Sequence, residues 1–165
     1  MSILVRHAMT ESPKTAGPSM NAADAAAMMK QFDTGVIPVA EEGRLVGLVT
    51  DRDLVVRVLA ERKDPLDVHL EDIATTAPVT ISPDTKLSEA RTMMAEHRIR
   101  RLPVVKAGEL IGILSLGDVA LADASKRAVG EALEEISEST STAEVAGHPP
   151  RGTPERVRRA RDEDG

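Results

Sequence analysis

The chain has 165 residues and a formal net charge of −6, with 41% apolar residues, one phenylalanine and no tyrosine, tryptophan or cysteine. This composition permits an aliphatic core, excludes disulfides and thiolate chemistry, and disfavours binding to the backbone or the bases of nucleic acid. No apolar run approaches the length of a transmembrane helix, so we expect a cytoplasmic protein without membrane contact.

Two parts of the chain repeat one another at an offset of 65 residues. Residues 9–54 align with residues 74–119 without a gap, with 13 identical residues in 46 pairs. The stretch GLVTDRDL at 47–54 falls on GILSLGDV at 112–119. So long a match in one register indicates a tandem duplication, and the two copies should fold alike.

Each copy predicts the order strand, helix, strand, strand, helix (β-α-β-β-α). The first strand lies in an opening segment rich in proline and threonine, and apolar residues at spacings of three and four predict the helix after it. A glycine then marks a tight hairpin between two short apolar strands, and a second helix closes the copy. The predicted segments are the opening segments 13–18 and 78–83, the hairpin strands 36–40, 44–50, 101–105 and 109–115, and the closing helices 52–62 and 117–136.

Such a unit leaves one face of its sheet uncovered, so we expect an α/β (α+β) protein in which the sheets of the two copies pack together. We assign the first copy to residues 1–66 and the second to 67–136. The segments 4–10 and 69–75, here called the lead-in segments, match only weakly, and each predicts a short helix that leads into its copy.

The last part of the chain, residues 137–165, has only two large aliphatic residues, and we expect it to be disordered. Five arginines lie between positions 151 and 161 and are followed by three acidic residues. Such a tail can contact nucleic acid or an acidic partner, or it can be a solvated, self-neutralising end.

Each copy ends in the same pattern: glycine, two apolar residues, Thr or Ser, two further residues and Asp. Two such copies resemble the CBS-domain pair, or Bateman module. IPV and LPV in the second strands and PVTISPDTKLSEA at 78–90 add to the resemblance, which covers residues 4–136. The chain is similar to stand-alone bacterial CBS-pair proteins, and its TDRDL is like that of hypoxic-response-type members.

The resemblance implies a fold in which the two copies are related by a pseudo-twofold axis, and an association of two chains into a homodimer. It also implies clefts between the copies that hold adenosine-containing ligands: AMP, ADP or ATP, and in some members S-adenosylmethionine or NAD.

The repeated motif suits a ribose and a phosphate. Thr50 and Ser115 end a strand where a helix begins with unpaired N–H groups. Asp53 and Asp118 can accept hydrogen bonds from ribose hydroxyls, or each can simply cap its helix, which contributes about 1 kcal/mol. With the segments that border the base in the resembling family, the candidate ligand-binding residues are Thr15, Val36, Ile37, Pro38, Thr50, Arg52, Asp53, Thr80, Arg101, Leu102, Pro103, Ser115, Gly117 and Asp118.

The two copies differ where a phosphate would lie. The second copy carries Arg98, Arg100 and Arg101, and the first copy has no arginine at the matching positions. Arginine suits phosphate, but Arg101 can also be a solvated or dimer-interface residue, and Lys14 in the first opening segment has the same alternatives. We therefore expect two clefts of unequal affinity, one of which can be empty.

Other residues carry weaker signals. The four histidines are scattered without the spacing of metal ligands, so we predict no metal site. Phe32 and His97 fall at matching positions, and we expect His97 to pack at the end of its helix and Phe32 to pack in the core. The methionine pairs at 28–29 and 93–94 should pack in the core.

These features favour a regulatory module that binds an adenosine nucleotide and changes the surface presented to an unknown protein partner. No cofactor is obligatory for such a module. The alternative is a ligand-free dimer that acts as a structural or protein-interaction module. The sequence shows no nucleophile–base pair, metal cluster or P-loop, so we do not expect an enzyme and assign no catalytic residue.

Overall fold

The computed structural model describes residues 2–127, and the predictions for residues 128–136 and for the tail lie outside this range. The elements are a 3-10 turn (Val5–His7), β1 (Thr10–Glu11), α1 (Ala22–Phe32), β2 (Val36–Glu41), β3 (Arg44–Thr50), α2 (Asp51–Leu54), α3 (Leu70–Ile73), β4 (Thr75–Thr76), α4 (Leu87–His97), β5 (Arg101–Lys106), β6 (Glu109–Ser115) and α5 (116–127). α2 continues as a π-helix over Val55–Leu59. The predicted α/β class is confirmed, and within 2–127 no helix has the length and apolarity needed to cross a membrane.

The two central hairpins are copies of one another in register. β2 pairs with β3 so that Val36 lies opposite Thr50, and β5 pairs with β6 so that Arg101 lies opposite Ser115. In both hairpins the register shifts between the fourth and fifth residues of the first strand. The duplication seen in the sequence therefore extends to the strand pairing.

Each hairpin closes with a two-residue turn in which both residues have positive φ. These angles are 50° at Glu42 and 79° at Gly43, and 51° at Ala107 and 82° at Gly108. Two positive φ angles define the type I′ turn, whose twist matches that of paired strands and which favours glycine. The predicted hairpins at Gly43 and Gly108 are confirmed.

The opening segments each contribute one residue to a strand pairing. Ala16 lies parallel to Val39, and Ile81 lies parallel to Val104. The N–H of Ala16 donates to the carbonyl oxygen of Pro38 over 3.0 Å. The equivalent bond in the second copy is also 3.0 Å long. The opening segments thus cover the proline carbonyls of β2 and β5.

The lead-in segments are exchanged between the copies. β1 begins at the end of the first lead-in segment and pairs with β6 of the second copy. β4 begins at the end of the second lead-in segment and pairs with β3 of the first copy. The N–H of Leu87 donates to the oxygen of Ile3, and the N–H of Ala22 donates to that of Val68, both over 2.8 Å. Short helical turns are present in both segments as predicted, but each turn packs on the opposite copy.

Two aliphatic cores result, one for each copy. The predicted helix positions are buried in them: Ala22, Ala25 and Met29 in α1, and Leu87, Ala90 and Met94 in α4. The exchange is visible here too, since Leu70 and Ile73 complete the first core and Val5 completes the second. The boundaries 1–66 and 67–136 remain a prediction for the sequence copies, because each core draws on both.

Phe32 and His97 do not pack as predicted. Phe32 is 42% exposed and His97 is exposed, although both follow the apolar spacing of their helices. The following residues, Asp33 and Arg98, have φ of 49° and 54° and end the helices in a left-handed conformation. The last position of the apolar stripe therefore extends past the core, and only the inner positions are covered.

Gly47 and Gly112 allow the exchanged strands to approach β3 and β6. A methyl group at Gly47 would place its carbon 3.0 Å from Cβ of Ala74 and 3.2 Å from the carbonyl oxygen of Thr75. At Gly112 the same carbon would lie 3.1 Å from the carbonyl oxygen of Thr10. Both contacts are tighter than most Cβ contacts in proteins, so a side chain at either glycine would push against the exchanged strand.

We predict that Gly47→Ala destabilises the fold by about 1–3 kcal/mol, because the obstructing atoms belong to backbone and Cβ positions that cannot rotate away. Urea denaturation measures this change. Gly17→Ala is the matched control: an added methyl group there meets nothing within 4 Å, so the free energy of unfolding should change by less than about 0.5 kcal/mol. Equal effects of the two substitutions would contradict the close approach of β4 to β3.

Candidate functional site

The two copies meet where β3 and β6 pack together. Val36, Leu48 and Ile113 are buried there in a small cluster of their own, here called the junction cluster. Leu48 and Ile113 are equivalent under the 65-residue offset, and the equivalent of Val36 is Arg101. Three apolar side chains and one arginine thus occupy four related positions, and the arginine breaks the symmetry of the junction.

A cleft of about 460 Å³ opens beside Arg101. Its walls come from both copies, since residues between Thr10 and Lys14 and between Phe32 and Val36 face Arg101, Ile113, Ser115 and Asp118. This volume lies within the range of pockets that bury a small organic ligand. The cleft combines apolar wall, from the junction cluster, with two acidic and two basic side chains.

Asp118 and Ser115 form a capping box at the start of α5. Oδ2 of Asp118 accepts hydrogen bonds from the N–H and the hydroxyl of Ser115, both over 2.7 Å, and the N–H of Asp118 donates to the Ser115 hydroxyl oxygen over 3.1 Å. Thr50 and Asp53 repeat this arrangement, with distances of 2.8, 3.0 and 3.3 Å. Both aspartates therefore cap helices, and each uses a single carboxylate oxygen to do so.

The second carboxylate oxygen distinguishes the two aspartates. Oδ1 of Asp53 lies 3.7 Å from Nε of Arg57, whose Nη1 donates to the carbonyl oxygen of Ile73 over 2.8 Å. The second copy has Ala122 at the position of Arg57. Within residues 2–127, Oδ1 of Asp118 has no hydrogen-bond or ion-pair partner, so an acceptor is available at the wall of the cleft.

Two cations lie on the cleft, one from each copy. Arg101 is half-buried and forms no salt bridge to any of the described residues. A methyl group at Gly35 would place its carbon 2.9 Å from Nη2 of Arg101, so the absence of a side chain at Gly35 leaves room for the guanidinium. Lys14 is exposed, and its Nζ lies 5.2 Å from the centroid of the Phe32 ring. Such a cation–π contact contributes about 0.5–1 kcal/mol at an exposed site.

The structure brings four of the fourteen predicted ligand residues to this cleft: Val36, Arg101, Ser115 and Asp118. Four others are fully buried within β2 and β5 and present no side chain to it: Ile37, Pro38, Leu102 and Pro103. The remaining six lie outside its wall: Thr15, Thr50, Arg52, Asp53, Thr80 and Gly117. Of these, Thr50 and Asp53 are the symmetry equivalents of the cleft pair Ser115 and Asp118.

Several cleft residues were not predicted from the motif. Thr10 and Ser12 come from the crossover between β1 and the first opening segment, and Phe32, Asp33 and Thr34 come from the end of α1. The second group lies directly before β2, whose first three residues were already candidate ligand residues, and this position was the signal. The crossover residues gave no signal, because the exchange of the lead-in segments brings them to the cleft.

The described residues contain no cluster of three or more histidine, aspartate or glutamate side chains that could hold a metal ion. The cleft offers hydrogen-bonding, ionic and apolar contacts.

Comparison with known proteins identifies the fold. The CBS domain matches residues 5–60 and again residues 70–125. The CBS domain-containing protein YhcV of Bacillus subtilis is 39% identical over 133 residues, which cover 81% of this chain and 94% of that protein.

Solved structures agree with this match. The structure of Hypoxic Response Protein I with two coordinated zinc ions has a TM-score of 0.65 at 29% identity, covering 72% of this chain and 97% of the other. The CBS domain pair of protein MJ0100, in complex with 5′-methylthioadenosine and S-adenosyl-L-methionine, has a TM-score of 0.70 at 25% identity, covering 76% and 99%. The resemblance seen in the sequence is confirmed: the chain belongs to the CBS-domain family and contains two CBS domains in tandem.

Proposed function

We propose that this chain is a regulatory module that binds an adenosine nucleotide, AMP, ADP or ATP, in the cleft between its two CBS domains. The observation that carries the proposal is the unused Oδ1 of Asp118 at the wall of a cleft that also holds Arg101 and Lys14. An anionic acceptor suits ribose hydroxyls, and two cations suit phosphate. The nucleotide is a reversible ligand in this proposal, and no cofactor is obligatory.

Each part of a nucleotide has a matching part of the cleft. The ribose hydroxyls donate to Asp118, and the phosphate lies near the Ser115 hydroxyl and the first turn of α5, where the helix dipole favours an anion. Val36 and Ile113 supply apolar wall for the base. The solved CBS pair that holds two adenosine-containing ligands supports this ligand class. The two cations here favour a phosphorylated ligand over a sulfonium cation.

A ligand in this cleft touches both copies, so it can regulate. It favours whichever arrangement of the two domains binds it more tightly, and it shifts the population only by that difference in affinity. We infer a regulatory role rather than a catalytic one, with the altered surface read by a protein partner. The proposal places the chain in the cytoplasm, where adenosine nucleotides are abundant.

We predict that Asp118→Asn weakens AMP binding about tenfold, because the single amide oxygen takes over the cap and an NH2 group, which is a donor, replaces the Oδ1 that accepts from the ribose hydroxyls. The amide oxygen can still accept from Ser115, so the cap and the fold are retained. Isothermal titration calorimetry measures the affinity. Asp53→Asn is the matched control: the same change in the same cap, away from this cleft, should alter the affinity less than twofold.

An equal loss of AMP affinity in Asp118→Asn and Asp53→Asn would show that AMP does not bind at Asp118. A thermal-shift series with AMP, ADP, ATP, NAD and S-adenosylmethionine gives the second readout, since a ligand at 100 times its dissociation constant stabilises by about 2.7 kcal/mol. Unchanged melting temperatures across the series would remove the proposal and favour the ligand-free interaction module.

The interaction module is the second candidate, and exposed apolar side chains favour it. Val55, Val56 and Leu59 on the π-helix that follows α2 are exposed, as is Leu121 on α5. Three exposed apolar side chains on one short helical segment are typical of a protein interface. We propose that these helices form a homodimer, which is compatible with nucleotide binding in the cleft.

For the dimer we predict that Leu59→Glu produces a monomer, because a carboxylate in the interface would be desolvated without a partner. Size-exclusion chromatography with light scattering measures the mass. Leu66→Glu is the control, since Leu66 is 62% exposed, as Leu59 is at 63%, but lies in the loop before α3. A wild-type chain that is already monomeric, or a Leu59→Glu variant that stays dimeric, contradicts this assignment.

A further inference from the structure

Phe32 is the single aromatic side chain of the sequence, and neither core contains it. It lies at the end of α1 on the wall of the cleft, 42% exposed. An apolar ring of this size is favoured in a core, so its exposure at a ligand cleft costs hydrophobic free energy. The helix end that extends past the core thus places an aromatic face where a ligand in the cleft can contact it.

The Lys14 ammonium lies over this ring, 5.2 Å from its centroid. Both side chains line the cleft that holds Arg101 and Asp118. The ring can accept a cation or a flat base on the same face, but not both at once. A cation–π contact at an exposed site is weak, and Lys14 has a long, flexible side chain that reaches other positions.

The second copy lacks this pair. The residues that match Lys14 and Phe32 under the 65-residue offset are Val79 and His97. The aromatic ring and the movable cation thus occur on the same side of the junction as the available oxygen of Asp118. A ligand site on only one side of a duplicated fold requires such a difference between the two copies.

We propose that Phe32 stacks against the base of the bound nucleotide, and that Lys14 leaves the ring for the phosphate when the nucleotide enters. The inference rests on the proposed nucleotide site, and it adds Phe32 as a ligand-contacting residue and a movement of Lys14 on binding. Base stacking on an aromatic ring tolerates any base, so Phe32 raises affinity for nucleotides over base-free sugar phosphates without selecting adenine.

The test crosses two variants with two ligands in isothermal titration calorimetry. Phe32→Leu should weaken AMP binding about tenfold and leave ribose 5-phosphate binding unchanged, because only AMP carries a base. Lys14→Met should weaken both ligands, by a factor that falls as the salt concentration rises. His97→Leu, the matched change at the end of α4, should weaken neither.

Phe32→Trp provides a direct readout. The chain has no other tryptophan and no tyrosine, so its fluorescence reports position 32 alone. AMP should quench this emission through stacking, and ribose 5-phosphate should not. The variants are expected to fold, since the side chain is outside both cores, and their melting temperatures without ligand check this.

The outcomes separate the two proposals. A wild-type chain that binds no AMP overturns the proposed function and this inference with it. A wild-type chain that binds AMP, with unchanged affinity in Phe32→Leu and unquenched emission in Phe32→Trp, overturns this inference alone. Loss of affinity for AMP but not for ribose 5-phosphate in Phe32→Leu, together with quenching of Phe32→Trp by AMP, establishes the stacking role.

Discussion

The exchange of the lead-in segments is the constraint on which the rest of the structure depends. β1 completes the sheet of the second copy and β4 completes that of the first, so neither copy closes its sheet or its core from its own sequence alone. The absence of a side chain at Gly47 and Gly112 permits the exchanged strands to approach β3 and β6. Because the chain then crosses back at 10–14, residues of the first copy lie against β6 of the second, and the cleft forms at that crossing.

The duplication accounts for the fold, and the differences between the two copies account for the properties of the cleft. The helix caps of the two copies use the same bonds, so Asp53 and Asp118 have the same structural role. Arg57 engages the second oxygen of Asp53, whereas Ala122 leaves that of Asp118 available. One aspartate can therefore both cap a helix and bind a ligand, because the cap uses one carboxylate oxygen and leaves the other available.

Local patterns made most of the fold predictable. The hairpins and their glycine turns depend on residues close in sequence, and they were predicted within one or two residues. The exchange of the lead-in segments was not predicted, because strands of two residues show no periodicity and their partner strands are distant in the sequence. Phe32 was assigned to the core because spacing alone cannot show where a helix leaves the core. Of the site, the Ser115–Asp118 pair was predictable from the motif, and the residues at 10–12 were not.

Hydrogen exchange with and without AMP tests the central claim, that the ligand binds on only one side of the junction between the two copies. We predict slower exchange at residues 10–14, 32–36 and 113–118, because these line the cleft. The equivalent residues 75–79, 97–100 and 48–53 should exchange at unchanged rates; Arg101, the equivalent of Val36, lines the cleft itself and is left out of this set. Equal protection of both sets, or protection of the second set alone, would contradict the account, since it would show that the differences between the copies do not decide where the ligand binds.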